Sequence, residues 1–299
     1  MPFDLDGLGY KGLGADFRAE SGIVAFDATG NVYVVPDRGT SDPEVVRITP
    51  GGEAAPYLRL RGLGYVSQLT VLWDGSMVVR GSRSGADGPS ALYSVQRSGS
   101  LTPLVPSPAL SHPVLVGEYP AGSLVVRDDS GLWSLRAGRA TRRPGAGGAF
   151  RLGKKWNVVD PSGTVYAVDD TLGKTRAQPV GKPPYGLTVT GSVPGGAAAL
   201  AKLHVTWVIP ASSGGFYAVA SPESYDPYYV VHVTPTGAGT TVLAQFGLHA
   251  AGCAVGKGYP ALGNSCEPSW FLAESGRRLL MLGPLMRGTP GLVLAGVGP

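Results

Sequence analysis

A block of apolar strands that recurs six times limits what this chain can fold into. In its clearest copy, an apolar run that begins at Gly22 leads through an Asp/Gly turn into a second apolar run that ends at Pro36. A polar loop and a third strand, from Val45 to Gly52, complete the block. One copy cannot bury its own apolar faces, so the copies must stack on one another.

The strands of each block are short and evenly spaced, and no segment keeps a helical period over several turns. Such spacing is typical of a sandwich, a barrel or a propeller, and the fixed repeat favours the propeller. We therefore predict an all-β chain: a six-bladed β-propeller of four-stranded blades that forms a single domain over residues 1–299. The predicted blades span residues 20–60, 65–107, 112–145, 150–181, 204–246 and 266–299.

Two segments exceed the repeat, at residues 182–203 and 247–265. Each joins the end of one blade to the first strand of the next. In a propeller, such connections lie on the face where the innermost strands begin. We expect both insertions to lie over the same mouth of the central channel.

Composition and charge limit the kinds of partner that the chain is expected to bind. The 46 Gly and 26 Pro residues are spread between apolar runs, which indicates many tight turns. The net charge is +4, but Lys and Arg are scattered, which argues against nucleic acid as a partner. No apolar run reaches the length of a membrane span. We expect a monomer that binds a small-molecule substrate or a glycan.

The two cysteines, Cys253 and Cys266, lie in one Gly/Pro-rich segment. A disulfide between them would close a short loop and contribute about 3 kcal/mol. Such a pair favours an oxidising compartment, so we expect an extracellular or periplasmic protein whose signal peptide has been removed. Two unlinked thiols in a cytoplasmic protein remain the alternative.

The repeat resembles a known superfamily. Its Asp27-x-x-Gly-Asn turn, its Val-Tyr-Val strand and its Thr-Pro-x-Gly strand end resemble NHL-repeat propellers and the related gluconolactonase (regucalcin)-like and lyase propellers. The segment from Glu267 to Leu280 resembles the Glu-Gly-Pro-x-Trp blade of gluconolactonase-like enzymes, whose Glu binds a divalent cation. The resemblance implies a propeller fold, and it implies a cation-binding role for Glu267.

Four candidate catalytic side chains fall at the starts of innermost strands when the blades are aligned on their turns. The starts of these strands ring the channel mouth, so the four side chains are predicted to converge. They are His112, Lys154, His204 and Glu267.

The side chains at the channel mouth are compatible with two kinds of chemistry. Imidazole nitrogens and a carboxylate suit a divalent metal, with zinc or calcium as the expected ion. The predicted ligands are His112, His204, His249 and Glu267. NHL-type amidating lyases, which the chain resembles, hold a channel metal with three histidines. In a metal-free site, one of the two aligned histidines would act as general base, and Lys154 or Glu267 as general acid.

The loops that follow the second strands are predicted to reach the same mouth. Arg suits a carboxylate or phosphate, and aromatic rings suit a sugar or another planar group. The predicted substrate-binding residues are Tyr65, Arg80, Arg127, Tyr225 and Arg287. We predict a lyase or a lactone hydrolase, and both a metal-assisted and a metal-free reaction are open. A non-catalytic propeller that recognises a protein or glycan is the first alternative, and an intracellular biosynthetic cyclase is the second.

Overall fold

The computed structural model describes residues 2–3, 23–49, 53–105, 109–144, 156–169, 176–186, 189–190, 204–221, 228–236, 240–246, 271–275, 278–284 and 292–297. Every regular element in these residues is a β-strand. None of the described residues forms a helix of the length and hydropathy that crossing a membrane requires.

The strands of the N-terminal half are short and follow one another closely. They are β1 (Pro2–Phe3), β2 (Ile23–Phe26), β3 (Val32–Val35), β4 (Glu44–Ile48), β5 (Ala54–Arg59), β6 (Tyr65–Val71), β7 (Met77–Ser82), β8 (Ala91–Val95), β9 (Leu101–Pro103), β10 (Val114–Glu118), β11 (Leu124–Asp128), β12 (Gly131–Arg136) and β13 (Arg139–Arg142).

The strands of the C-terminal half continue the pattern. They are β14 (Trp156–Val159), β15 (Val165–Asp169), β16 (Arg176–Pro179), β17 (Tyr185–Gly186), β18 (Val189–Thr190), β19 (His204–Pro210), β20 (Phe216–Ser221), β21 (Tyr228–Val233), β22 (Thr240–Phe246), β23 (Phe271–Ser275), β24 (Arg278–Pro284) and β25 (Leu292–Val297).

Consecutive strands form antiparallel sheets of the kind that make propeller blades. The sheets are β2–β5, β6–β9, β10–β13, β14–β17 and β19–β22. The two-residue strand β18 joins the last of these as a parallel neighbour of β22. The all-β propeller fold is therefore confirmed.

The predicted number of six blades is supported in part. Within the described ranges, these five sheets are the blades built from four consecutive strands. The described C-terminal strands β23, β24 and β25 are consecutive neighbours in a further sheet. The repeat predicts a blade from two or three of its strands, whereas a complete blade also needs an outer strand, which carries the weakest sequence signal.

The first predicted insertion, 182–203, also contains blade structure. Tyr185 and Gly186 form β17, which pairs with β16 as the outer strand of its sheet. The strand β18 contributes to the next sheet. A strand of two residues is too short to show an alternating apolar pattern in the sequence.

An aspartate closes the hairpin between the first two strands in two of the blades. Asp27 accepts hydrogen bonds from the backbone N–H groups of Thr29 and Asn31, each over 2.9 Å, and from the Tyr33 hydroxyl over 3.0 Å. Asp160 accepts the corresponding bond from the Tyr166 hydroxyl, also over 3.0 Å. The Asp-x-x-Gly motif is thus a turn that one carboxylate holds together.

The chain forms two compact units. The first contains residues 1–143 and 290–292, and the second contains residues 144–289 and 293–299. The prediction of a single domain stays a prediction.

Apolar residues of neighbouring blades pack together inside each unit. In the first unit, Tyr33 and Val45 belong to one buried cluster with Val66 and Val79 of the next blade. In the second unit, Tyr166 packs in a cluster with Phe216 of the next blade, at 5.5 Å between ring centroids. Each blade therefore buries its faces against another blade, as the repeat requires.

Candidate functional site

A histidine and an aspartate form a dyad beside the first strand of the third blade. The Nδ1 atom of His112 lies 2.8 Å from Oδ2 of Asp129. His112 lies two residues before the first residue of β10, and Asp129 follows β11 directly. Both side chains are exposed, at 73% and 65%. The dyad can therefore meet a ligand from solvent.

The hydrogen bond of the dyad has a defined donor and acceptor. An ionised carboxylate only accepts hydrogen bonds, so the shared proton lies on Nδ1 and leaves the lone pair of the neutral ring on Nε2. The hydrogen bonds from His112 and then Ser111 hold the pKa of Asp129 below its usual value. No described residue forms a hydrogen bond with Nε2. Such an imidazole can accept a proton from a ligand.

The backbone of His112 adopts a left-handed conformation, with φ at 49°. This region costs an L-residue other than Gly, Asn or Asp about 1 to 2 kcal/mol. Strain of this kind clusters at functional sites, where the surrounding structure holds a side chain in place. Here the conformation accompanies the contact between the ring and Asp129.

A second carboxylate, that of Asp128, fixes the loop beneath the dyad. It is buried and accepts bonds from the backbone N–H groups of Ser130 and Gly131 and from Nε1 of Trp133, over 2.8 to 2.9 Å. The Ser111 N–H also reaches it, over 3.4 Å. Burial alone would raise the pKa of Asp128, but these hydrogen bonds outweigh it and lower the pKa. Asp128 thus anchors both segments that carry the dyad.

Arg80 connects the second blade to the dyad segment. Its Nε donates to the carbonyl oxygen of Pro113, the residue after His112, over 2.8 Å. Its Nη1 donates to Oγ of Ser67 over 2.9 Å. The guanidinium is half-buried and is fixed at two of its three nitrogens.

Further cationic and aromatic side chains lie near Arg80. Burial, followed by the positive charge of Arg127, lowers the pKa of Arg80, while the Tyr65 hydroxyl acts in the opposite direction. The guanidinium of Arg38 lies 5.6 Å from the centre of the Tyr65 ring. Three residues predicted for substrate binding, Tyr65, Arg80 and Arg127, are therefore electrostatic neighbours within the first unit.

The remaining predicted residues are distributed differently. His204 is the first residue of β19 and belongs to the second unit, so its convergence with His112 stays a prediction. Seven residues lie outside the described residues: Lys154, Tyr225, His249, Cys253, Cys266, Glu267 and Arg287. Among the described residues, no group of three or more His, Cys, Asp or Glu side chains is arranged to hold a metal ion.

Asp129 lies on one of the loops that were expected at the channel mouth, but sequence reasoning gave it no role, and it did not assign Ser111 or Ser67 to the site. A signal for Asp129 exists in the hairpin register. Strands β10 and β11 pair Val114 with Arg127. Continuing that register by two residues in each direction places His112 opposite Asp129. The contacts of Ser67 are with Arg80 on the adjacent strand of the same blade, and no local sequence pattern indicates them.

Searches with the sequence alone find no relative: no family model matches, and no curated protein matches. Solved structures do resemble the chain. Streptogramin B lyase has a TM-score of 0.50 at 11% identity, and the match covers 93% of this chain and 94% of that one. At this identity the similarity shows the fold alone.

Two further neighbours have lower scores. A calcium-binding regucalcin from Agrobacterium tumefaciens has a TM-score of 0.49 at 13% identity, covering 93% of this chain and 92% of that one. A periplasmic gluconolactonase from Pseudomonas aeruginosa has a TM-score of 0.43 at 13% identity, covering 92% and 85%. These three neighbours are a lyase, a regucalcin and a gluconolactonase, the kinds of protein that the sequence repeat resembles.

Proposed function

We propose that this protein is a propeller enzyme of the lyase or lactone-hydrolase type, with His112 as its general base. The observation that supports the proposal is the 2.8 Å contact between His112 Nδ1 and Asp129 Oδ2, which leaves Nε2 directed away from the carboxylate and without a described partner. A positioned imidazole base typically contributes a factor of about 100 to 10,000 to the rate.

Both reaction types begin with the same proton transfer. In a lactone hydrolase, Nε2 takes a proton from water, the water oxygen attacks the ester carbon, and the ring C–O bond breaks. The departing oxygen then recovers the proton from the imidazolium. In a lyase, Nε2 takes a proton from the carbon next to a carbonyl, a carbon–carbon double bond forms, and the C–O bond at the next carbon breaks. Asp129 stabilises the imidazolium in either case.

The test is a panel of sugar lactones, acyl lactones and cyclic depsipeptides, assayed with the wild-type protein and with His112→Gln. The matched control is His232→Gln, because His232 is a half-exposed histidine whose ring packs on Tyr217 in the second unit. We expect turnover that His112→Gln lowers at least about 100-fold and that His232→Gln leaves intact. Equal turnover by the wild-type protein and His112→Gln would refute His112 as the base.

The products separate the two reaction types. Hydrolysis in heavy-oxygen water adds one labelled oxygen to the product. Elimination adds none and creates a conjugated double bond that absorbs ultraviolet light. If the panel is not turned over and a glycan array binds the wild-type protein and His112→Gln equally, the protein is a recognition propeller.

The same dyad also favours a metal-assisted version of the reaction. Histidines that bind metals commonly donate their other ring N–H to a carboxylate, as His112 does to Asp129. His112 would supply Nε2 as one ligand, while the roles of His204, His249 and Glu267 as further ligands stay predictions from the sequence. A bound metal would lower the pKa of its water or polarise a carbonyl. Elemental analysis should then find stoichiometric zinc or calcium in the wild-type protein and a loss in His112→Gln; equal contents would exclude this version.

Two finer proposals concern architecture and export. We infer that strands β23, β24 and β25 belong to a sixth blade, as the repeat predicts. We also infer that Cys253 and Cys266 form a disulfide in an extracellular or periplasmic protein. Thiol titration of the unreduced, denatured protein should find no free thiol, and two reactive thiols would refute the export argument.

A further inference from the structure

We propose that the site takes an anionic substrate, whose carboxylate or other oxyanion binds between Arg80 and Arg127 beside His112. This inference rests on the proposed function, since it names the class of substrate for the same site. It is carried by the placement of the two arginines in neighbouring blades of the first unit.

The guanidinium of Arg80 is pre-organised. It is held by the Pro113 carbonyl at Nε and by the Ser67 hydroxyl at Nη1. The Ser67 hydroxyl in turn donates to the carbonyl oxygen of Arg80 over 3.3 Å. Within the described part of the chain, Nη2 of Arg80 forms no hydrogen bond, so this N–H group is available to a ligand. A guanidinium held in place loses little side-chain entropy when it binds an oxyanion.

The charge around Arg80 is not neutralised by the described residues. No described carboxylate forms an ion pair with Arg80. The carboxylates of Asp128 and Asp129, which follow Arg127 in the chain, are engaged elsewhere, since Asp128 binds its own loop and Asp129 binds His112. Arg127 lies opposite Val114 in the β10–β11 pair, and Val114 follows the Pro113 whose carbonyl Arg80 binds. Burial, followed by the positive charge of Arg127, lowers the pKa of Arg80. Two cations held close together repel, and a bound oxyanion would relieve that repulsion.

Arg80 binds the residue that directly follows the proposed base, His112. Arg80 binds the carbonyl oxygen of Pro113, and His112 precedes Pro113. An anion bound at Arg80 would therefore lie near the exposed imidazole. Such an anchor positions the reacting carbon or the ester group of the same molecule at Nε2, which is the usual role of an arginine clamp. Arg38, stacked on Tyr65, adds positive charge to the approach.

The test measures binding separately from turnover. Titration calorimetry with the His112→Gln protein uses four probes: glucarate and glucarolactone as carboxylates, inorganic phosphate, and the neutral gluconolactone. The variants Arg80→Gln and Arg127→Gln are compared with Arg97→Gln, an exposed arginine in the turn between β8 and β9. A charge-assisted hydrogen bond contributes about 1.5 to 3 kcal/mol, so each of the first two variants should weaken anion binding about 10- to 100-fold.

The outcomes are distinct. Anions should bind more tightly than gluconolactone, and Arg97→Gln should bind them as the parent does. Tighter binding of glucarate assigns a carboxylate substrate, whereas tighter binding of phosphate assigns a phosphorylated one. Equal affinity for charged and neutral probes, or equal loss in Arg97→Gln, would overturn the inference while leaving His112 as base. Because Arg80 also holds Pro113, Arg80→Lys and the melting temperature of each variant check that a loss of binding is not a loss of folding.

Discussion

The backbone N–H of Gly215 donates a hydrogen bond to Oδ2 of Asp160 over 3.1 Å, although 55 residues separate them. Asp160 closes the first hairpin of the fourth blade, and Gly215 belongs to the turn before the second strand of the fifth blade. The carboxylate also accepts from Ser162, Thr164 and Tyr166. One buried charge thus joins two neighbouring blades of the second unit.

Asp160→Asn should destabilise the second unit by about 2 kcal/mol, because an amide cannot accept all of these bonds and leaves buried donors unsatisfied. The matched control is Asp74→Asn, in an exposed turn where Ser76 is the one described residue that binds the carboxylate. We expect the control to cost less than about 1 kcal/mol. Urea unfolding monitored by tryptophan fluorescence gives both values, and equal losses would show that the bond between blades contributes nothing.

The stability of the wild-type protein should fall in acid partly through Asp160. Burial raises the pKa of this carboxyl, but the hydrogen bonds from Ser162, Gly215 and Tyr166 outweigh it, and the pKa lies below its ordinary value of 3.8. A group with a depressed pKa stabilises the folded state above its unfolded pKa, and it loses that contribution as the pH falls through the folded pKa. Unfolding free energies measured from pH 6 down to about pH 2.5 should therefore decrease more steeply for the wild-type protein than for Asp160→Asn. Parallel curves for the two proteins would contradict this assignment.

Gly215→Ala should destabilise the protein by about 2 kcal/mol or more, since the new methyl group would collide with the carbonyl oxygen of Val233. The residue also has a positive φ of 75°, which adds strain for alanine. Gly75→Ala is the control, because its φ is 79° and a Cβ there meets no atom within 4 Å. Thermal unfolding of both variants separates collision from strain: a larger loss in Gly215→Ala is expected, and equal losses would show that the backbone yields.

His112→Gly should be more stable than His112→Ala by about 0.5 to 1 kcal/mol, because glycine adopts the left-handed backbone at φ 49° without steric cost. Both variants lack the imidazole and should be equally inactive. The comparison of melting temperatures with activity tests whether the site stores strain. A less stable His112→Gly would mean that the entropy of the unfolded chain exceeds the strain.

Asp129→Asn should lower kcat about 10- to 100-fold and leave KM nearly unchanged, because Asp129 acts through His112 and does not bind substrate. The spectroscopic signature is the imidazole nitrogen resonance, which should report a proton on Nδ1 in the wild-type protein and a mixture of tautomers in the variant. Asp87→Asn, an exposed aspartate in the loop between β7 and β8, is the control. A raised KM with unchanged tautomers would refute the positioning role.

The blades were largely predictable from local sequence. The apolar strand, the Asp27 turn and the Val-Tyr-Val strand form one hairpin whose paired residues all lie between Ile23 and Val35, so their pattern repeats visibly along the chain. Outer strands such as β17 were not predictable, because a short edge strand gains its structure from its neighbour. His112 was predictable as a residue at a strand entrance, but its partner Asp129 required the register of the β10–β11 hairpin.

The sequence by itself determined the all-β repeat, since strand pattern and turn chemistry are local properties written within each block. The tertiary structure alone decided which side chains meet: His112 with Asp129 across a hairpin, Arg80 with Pro113 across two blades, and Asp160 with Gly215 across two others. These contacts depend on hairpin register and on how one blade packs against the next. A shift of one residue in register turns a side chain to the opposite face, which composition and spacing do not encode.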